Sequence, residues 1–255
     1  MTPDLWVILT GVLAATACGL IGSFLVLRKN AMLGDAISHS VLPGLVIAFL
    51  ITASRNVVPM IIGAGAMGLL TVWLTETLDR TGRLYKDAAL AIVFTLLFSV
   101  GVIMVSVYTG QIDLDQECVL YGEIAYAPWD TLVIGDQSYG PRPVWILGGI
   151  LLANLLFILL FYKQLKISSF DPEIARSVGI RERLWHYLLM TMVALTVVAA
   201  FESVGAILVV AMLIIPGATA HLLTHRLPLL LVLSVIVGML CAVGGAPPPA
   251  EEAAA

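Results

Sequence analysis

Charge is scarce in this 255-residue chain: Asp, Glu, Lys and Arg make up 12% of it, against 60% hydrophobic residues. Its mean hydropathy is +1.02. A soluble domain this poor in charge could not cover its surface, so water is not its only solvent. Cysteine is also sparse. Cys18, Cys118 and Cys241 lie far apart without metal-ligand spacing, which excludes a thiolate metal site and a disulfide framework. Cys18 and Cys241 sit in apolar runs, where a thiol behaves as a small hydrophobe. There is no G-x-x-x-x-G-K-[ST] phosphate loop, so any ATP-driven work belongs to a separate subunit. Neither H-E-x-x-H nor G-x-S-x-G occurs, which ranks an intramembrane enzyme last. The net charge of −4, half of it from Glu251 and Glu252, gives no sign of a nucleic-acid partner.

The abundant feature is long apolar runs. A bilayer core of about 30 Å takes roughly 20 apolar residues per helix. Runs of that kind cover Leu5–Leu27, Met32–Thr52, Val57–Leu78, Ala88–Tyr108, Trp145–Tyr162, Trp185–Phe201, Val204–Leu223 and Pro228–Val243. They are continuously apolar, whereas barrel strands alternate. The expected fold is therefore all-α and polytopic, with about eight transmembrane helices in lipid. The first run lacks a basic leader and ends in Arg28-Lys29, so it reads as a span and not as a cleaved signal peptide. Leu120–Ile134 carries Glu123, Pro128 and Asp130 and is expected outside the membrane or at its surface.

Basic residues orient these spans. One set of loops holds Arg28, Lys29, Arg80, Arg83, Lys86, Lys163, Lys166, Arg176, Arg181, Arg183 and Arg226; the other holds only Arg55 and Arg142. The first set is cytoplasmic, which puts both termini outside. Trp6, Tyr108, Trp145, Tyr162 and Trp185 fall near span ends as interfacial anchors. Residues 1–245 form one membrane domain, and the Pro/Ala/Glu-rich tail 246–255 is expected to be disordered.

Chemistry concentrates in a few segments. Asp35 and His39, four apart, share one helix face. Carboxylate and imidazole together suit borderline divalent ions such as manganese, iron(II) and zinc. Two ligands are too few for a tight site, and a symmetric second copy would supply four. The same spacing also fits a helix cap at Asp35 and an interhelical bond from His39. Pro43-Gly44 weakens the helix just beyond, and Pro216-Gly217 loosens the seventh span; each is a candidate hinge or a packing kink.

Residues 171–179 read as a short cytoplasmic helix. Asp171 is its N-cap, Pro172 its first residue, Glu173 complements the dipole and Gly179 ends it. Ile174 and Val178 share a face suited either to a groove on another protein or to the membrane surface. His221 and His225, beside Arg226, read as interfacial residues, and Glu202-Ser203 as an external turn. Asp113, Asp115 and Glu117 form an external acidic cluster.

The run from Leu27-Arg28-Lys29 through Gly34-Asp35-Ala36, His39 and Pro43-Gly44 resembles the signature of permeases of the manganese/zinc/iron uptake ABC transporter family. So do Lys86-Asp87-Ala88-Ala89, Asp113-Leu114-Asp115 with Leu120-Tyr121-Gly122, Phe170-Asp171-Pro172-Glu173-Ile174-Ala175 with Gly179-Ile180, and Val204-Gly205-Ala206-Ile207-Leu208 leading to Ile215-Pro216-Gly217-Ala218-Thr219-Ala220. The resemblance runs in order from about Leu5 to about Val243. It implies a type II-like importer: two permeases, a cytoplasmic ATPase dimer carrying the ATP, and an external metal-binding protein, in the bacterial inner membrane. It also implies that Asp35 and His39 are metal ligands of the path and that 171–179 is the coupling helix. The form around His39 is closer to manganese-type members. The rival expectation is an ATP-independent cation channel or secondary carrier. The chain departs from the family pattern near Gly244, where a further apolar helix usually follows.

Overall fold

The computed structural model describes residues 3–52, 57–81, 85–108, 124, 131–134, 137–170, 175 and 177–245. Its elements are α1 (Pro3–Leu27), α2 (Met32–Ser40), α3 (Leu42–Thr52), α4 (Val57–Arg80), α5 (Lys86–Tyr108), β1 (Thr131–Ile134), β2 (Gln137–Pro141), α6 (Arg142–Phe170), α7 (Glu182–Val204), α8 (Ala206–Leu223) and α9 (Leu227–Gly244). Eight stretches among the described residues are long and apolar enough to cross a bilayer, α2 and α3 together making the second. The tail 246–255 and the acidic cluster at Asp113, Asp115 and Glu117 lie outside the described residues.

α1 is the central helix and packs against α6, α7, α8 and α9. Ala14, Ala15, Ala17, Cys18, Ile21 and Phe24 on it are fully buried. Small residues make this possible: a side chain at Gly22 would run into the Leu213 carbonyl of α8, and one at Gly19 would meet Ser234 Oγ of α9 at 3.1 Å. Without a strong hydrophobic drive between helices in lipid, such backbone approach supplies the packing. Ile92, Leu96, Ile103 and Val107 of α5 point outward, as lipid-facing residues should.

Three local features differ from the sequence expectation. The segment before α6 folds as an antiparallel hairpin, with Ile134 opposite Gln137. α6 runs 29 residues, about 43 Å at 1.5 Å per residue and so longer than the hydrocarbon core. It kinks at Phe161 (φ −112°, ψ 19°), beyond which it carries Lys163 and Lys166. The turn expected at Glu202-Ser203 falls instead at Gly205; Glu202 and Ser203 belong to the last turn of α7. Gly205 has φ 82° and ψ 160°, a conformation open essentially to glycine alone, and this lets α8 start immediately after α7.

The left-handed positions give a paired prediction. Gly205→Ala should lower stability by about 1–3 kcal/mol. Among the described residues Lys29 is the non-glycine residue at positive φ (57°), so Lys29→Gly should raise stability by about 1 kcal/mol. Thermal unfolding of the detergent-solubilised variants checks both signs.

Candidate metal site and cytoplasmic network

The turn between α1 and α2 sets the depth of Asp35 and His39. Lys29 takes the left-handed conformation, Asn30 N–H donates to Leu25 O at 2.9 Å, and Lys29 N–H donates to Val26 O at 3.0 Å. This closes α1 as a glycine would. Leu33 N–H then donates to Asn30 O at 3.0 Å and starts α2 without a spacer. His39, seven residues after Met32, therefore sits about 10 Å into the span from the end that carries Arg28 and Lys29.

Asp35 and His39 do share a face: Asp35 Oδ1 lies 3.5 Å from His39 Nε2. Their side chains keep 45% and 32% exposure, whereas Leu33, Ala36 and Ile37 turn into the core. Asp35 is not a cap, because the cap position is Ala31 and has no side-chain bond. His39 meets α5 through aromatic rings, with Phe98 edge-on at 5.7 Å and Phe94 tilted at 6.2 Å between centroids. The pair is thus partly exposed beside α5 while lying within a candidate membrane span.

Pro43 lacks an N–H, so the His39 carbonyl loses its usual helical donor. The helix is interrupted at Val41, yet Val41 N–H to Ile37 O and Leu45 N–H to Val41 O, both 3.1 Å, carry the chain across. Gly44 and Gly63 of α4 pack backbone to backbone, and a side chain at Gly101 of α5 would meet Pro43 Cδ at 2.8 Å. Pro216 lies within the continuous α8, and Gly217 faces Ser23 Cα of α1, where a Cβ would sit at 3.1 Å. Close packing is the role visible at both Pro-Gly steps.

Of the 171–179 segment, Asp171, Pro172, Glu173 and Ile174 lie outside the described residues. Ala175 is buried, and Ile180 N–H donates to Ala175 O at 2.9 Å across Gly179 (φ 80°). That is the bond pattern of a glycine-terminated helix. Val178 is 65% exposed. α8 ends at Leu223 and Thr224 is extended, so His221 and His225 do not share a helix; their rings meet edge to face at 6.2 Å.

A network at the Arg-rich end of the bundle was not anticipated. Glu76 of α4 accepts hydrogen bonds from Tyr187 Oη of α7 at 2.7 Å and from Arg80 at 3.1 Å. Its other oxygen lies 2.9 Å from His186 Nε2. His186 Nδ1 is 3.4 Å from Arg28, which also donates to Ser168 Oγ at 2.7 Å and Ser169 Oγ at 3.0 Å on α6. The neutral imidazole with its proton on Nε2 satisfies both neighbours. Burial pushes the Arg28 guanidinium down to about 10, with Glu182 opposing the shift, so it stays charged at neutral pH. The sequence signal was a carboxylate inside an apolar run.

This network borders a cavity of about 1410 Å³. Arg28, Lys29, Arg80, Lys86, Arg181 and Arg183 line it against Glu76 and Glu182, so its electrostatics repel a divalent cation. Asp35 and His39 are not part of it.

The family model described as the ABC 3 transport family matches residues 4–247. The manganese transport system membrane protein MntD of Bacillus subtilis is 52% identical over 245 residues, covering 96% of this chain and 83% of MntD. The zinc transport system membrane protein TroD of Treponema pallidum is 43% identical over 210 residues, covering 82% of this chain and 57% of TroD. Among solved structures, PsaBC from Streptococcus pneumoniae, in complex with Fab, aligns with a TM-score of 0.78 at 32% identity, covering 95% of this chain and 81% of that one.

Proposed function

The chain belongs to the ABC 3 transport family, and we propose that it is the membrane-spanning subunit of an ATP-driven importer of a divalent metal ion, manganese ahead of zinc or iron. It is a multi-pass protein of the bacterial cytoplasmic membrane and a transport subunit, not an enzyme. ATP hydrolysis is assigned to a cytoplasmic ATPase pair and metal delivery to an external binding protein. The MntD name at 52% identity supports manganese, and the TroD name keeps zinc in view.

The observation that carries the proposal is the Asp35/His39 pair, half-exposed on the flank of the bundle about 10 Å inside a span. An ionisable pair cannot rest against lipid tails without cost, so its face belongs to a partner or a water-lined path. One carboxylate and one imidazole fall short of the roughly four to six donors that such ions take. A second copy of this chain across this face doubles the set to two Asp35 and two His39 and covers the exposed pair, whereas a different second permease supplies donors of its own. Borderline ligands and incomplete enclosure favour transient binding, which conduction requires.

Purification of the tagged permease with its ATPase tests the assembly. The expected result is a complex whose ATP hydrolysis rises several-fold with metal-loaded binding protein. A permease that carries metal with no ATPase bound would overturn the reading in favour of a channel.

A further inference from the structure

We infer that Glu76 is a positioning residue that couples the cytoplasmic face of the protein to the metal-bearing helix, an inference that rests on the proposed transport function. Both flanks of the 171–181 connection are tied to it. The preceding helix, α6, ends in Ser168 and Ser169, which Arg28 holds at 2.7 and 3.0 Å. The following helix, α7, contributes His186 and Tyr187, which reach the two Glu76 oxygens at 2.9 and 2.7 Å. Arg28 closes the circuit through His186 Nδ1. The ends of α1, α4, α6 and α7 therefore share one set of directional bonds around a carboxylate side chain only 17% exposed.

From Glu76 the link runs along the rigid α4 itself, whose buried Thr75 and Thr71 lie on a different face from Glu76. Thr75, next to Glu76, donates to Thr71 O at 2.8 Å. Thr71, fully buried, has its hydroxyl 2.7 Å from Ser40 Oγ and 2.8 Å from Met67 O, so it shares a hydrogen bond with Ser40, which follows His39 directly in α2. Glu76 and Thr71 are five residues apart, about 7.5 Å along the axis. A motion that shifts α6 and α7 thus reaches α2 along α4, which moves as one rigid helix and is held in register by directional bonds at both ends, Glu76 to α7 and Thr71 to Ser40. An apolar residue at position 76 could hold the ends together as firmly, since a buried ion pair is weak evidence of stability. What the carboxylate adds is a fixed relation between α4 and α7, which His186 and Arg28 extend to the ends of α1 and α6. Arg28 and Arg80 beside it argue against a second metal site there.

The test measures manganese uptake per ATP hydrolysed in proteoliposomes containing the permease, its ATPase and its binding protein. Glu76→Leu is expected to lower this ratio about tenfold, whereas Glu76→Gln, which still accepts hydrogen bonds through one oxygen, keeps most of it. Thr71→Val is nearly isosteric and removes the bond to Ser40, so it should lower the ratio several-fold without disturbing assembly. A wild-type ratio in both Glu76→Leu and Thr71→Val would overturn the inference. If Glu76→Leu fails to assemble, Thr71→Val decides alone. Wild-type vesicles without ATP-driven uptake would overturn the transport reading itself, and the inference with it.

Discussion

Replacing Asp35 by Asn is expected to abolish metal uptake at micromolar concentrations while the permease still assembles, and His39→Gln should do the same. In a symmetric pair of permeases each substitution weakens two ligands at once, replacing a carboxylate or an imidazole by a neutral amide oxygen. Taking each weakened ligand at the strength of a hydrogen bond to a charged group, about 1.5–3 kcal/mol, the loss is about 3–6 kcal/mol of site affinity, or about a hundredfold and more. Folding should be spared because neither side chain belongs to the buried core, and glutamine retains contact with Phe94 and Phe98. Uptake of radioactive manganese by cells, with a size-exclusion profile as the assembly control, checks the result. Wild-type uptake by both variants would remove the metal site from this pair.

The second large effect is expected at the cytoplasmic surface. Val178 stands 65% exposed on a helical turn closed by Gly179. Ile174 is one helical turn earlier in sequence. A leucine-sized side chain contributes about 1.5–3 kcal/mol when buried at a contact, and a carboxylate in its place adds a desolvation cost. Ile174→Asp with Val178→Asp should therefore weaken ATPase binding by at least about a hundredfold and stop uptake, with the metal site untouched. Co-purification of the ATPase measures this. Retention of the ATPase by the double variant would contradict the coupling role of 171–179.

The spans were legible in the sequence because they depend on a quantity local to about twenty residues, apolar length; their direction is an expectation from the placement of Lys and Arg. The four-residue spacing of Asp35 and His39 was legible for the same reason, since a helix brings i and i+4 together whatever surrounds it. Their exposed setting was not, because it depends on which face of α2 meets α4, α5 and α7. The turn at Gly205 escaped because hydropathy and charge pointed to Glu202-Ser203, whereas the sign of φ decided the break. The Glu76 network was hidden by distance along the chain: Tyr187 lies 111 residues from Glu76, and Ser168 lies 140 from Arg28. No local pattern announces such pairings; only the packing of α1, α4, α6 and α7 creates them.

The central claim is that metal crosses this membrane at the expense of ATP through a path lined by Asp35 and His39. Its most direct test is accumulation of radioactive manganese in proteoliposomes holding the permease, the ATPase and the metal-binding protein, with and without ATP at the nucleotide-binding side. The account predicts accumulation above the external concentration only with ATP, and none with Asp35→Asn. Metal equilibration at the same rate without ATP would contradict it.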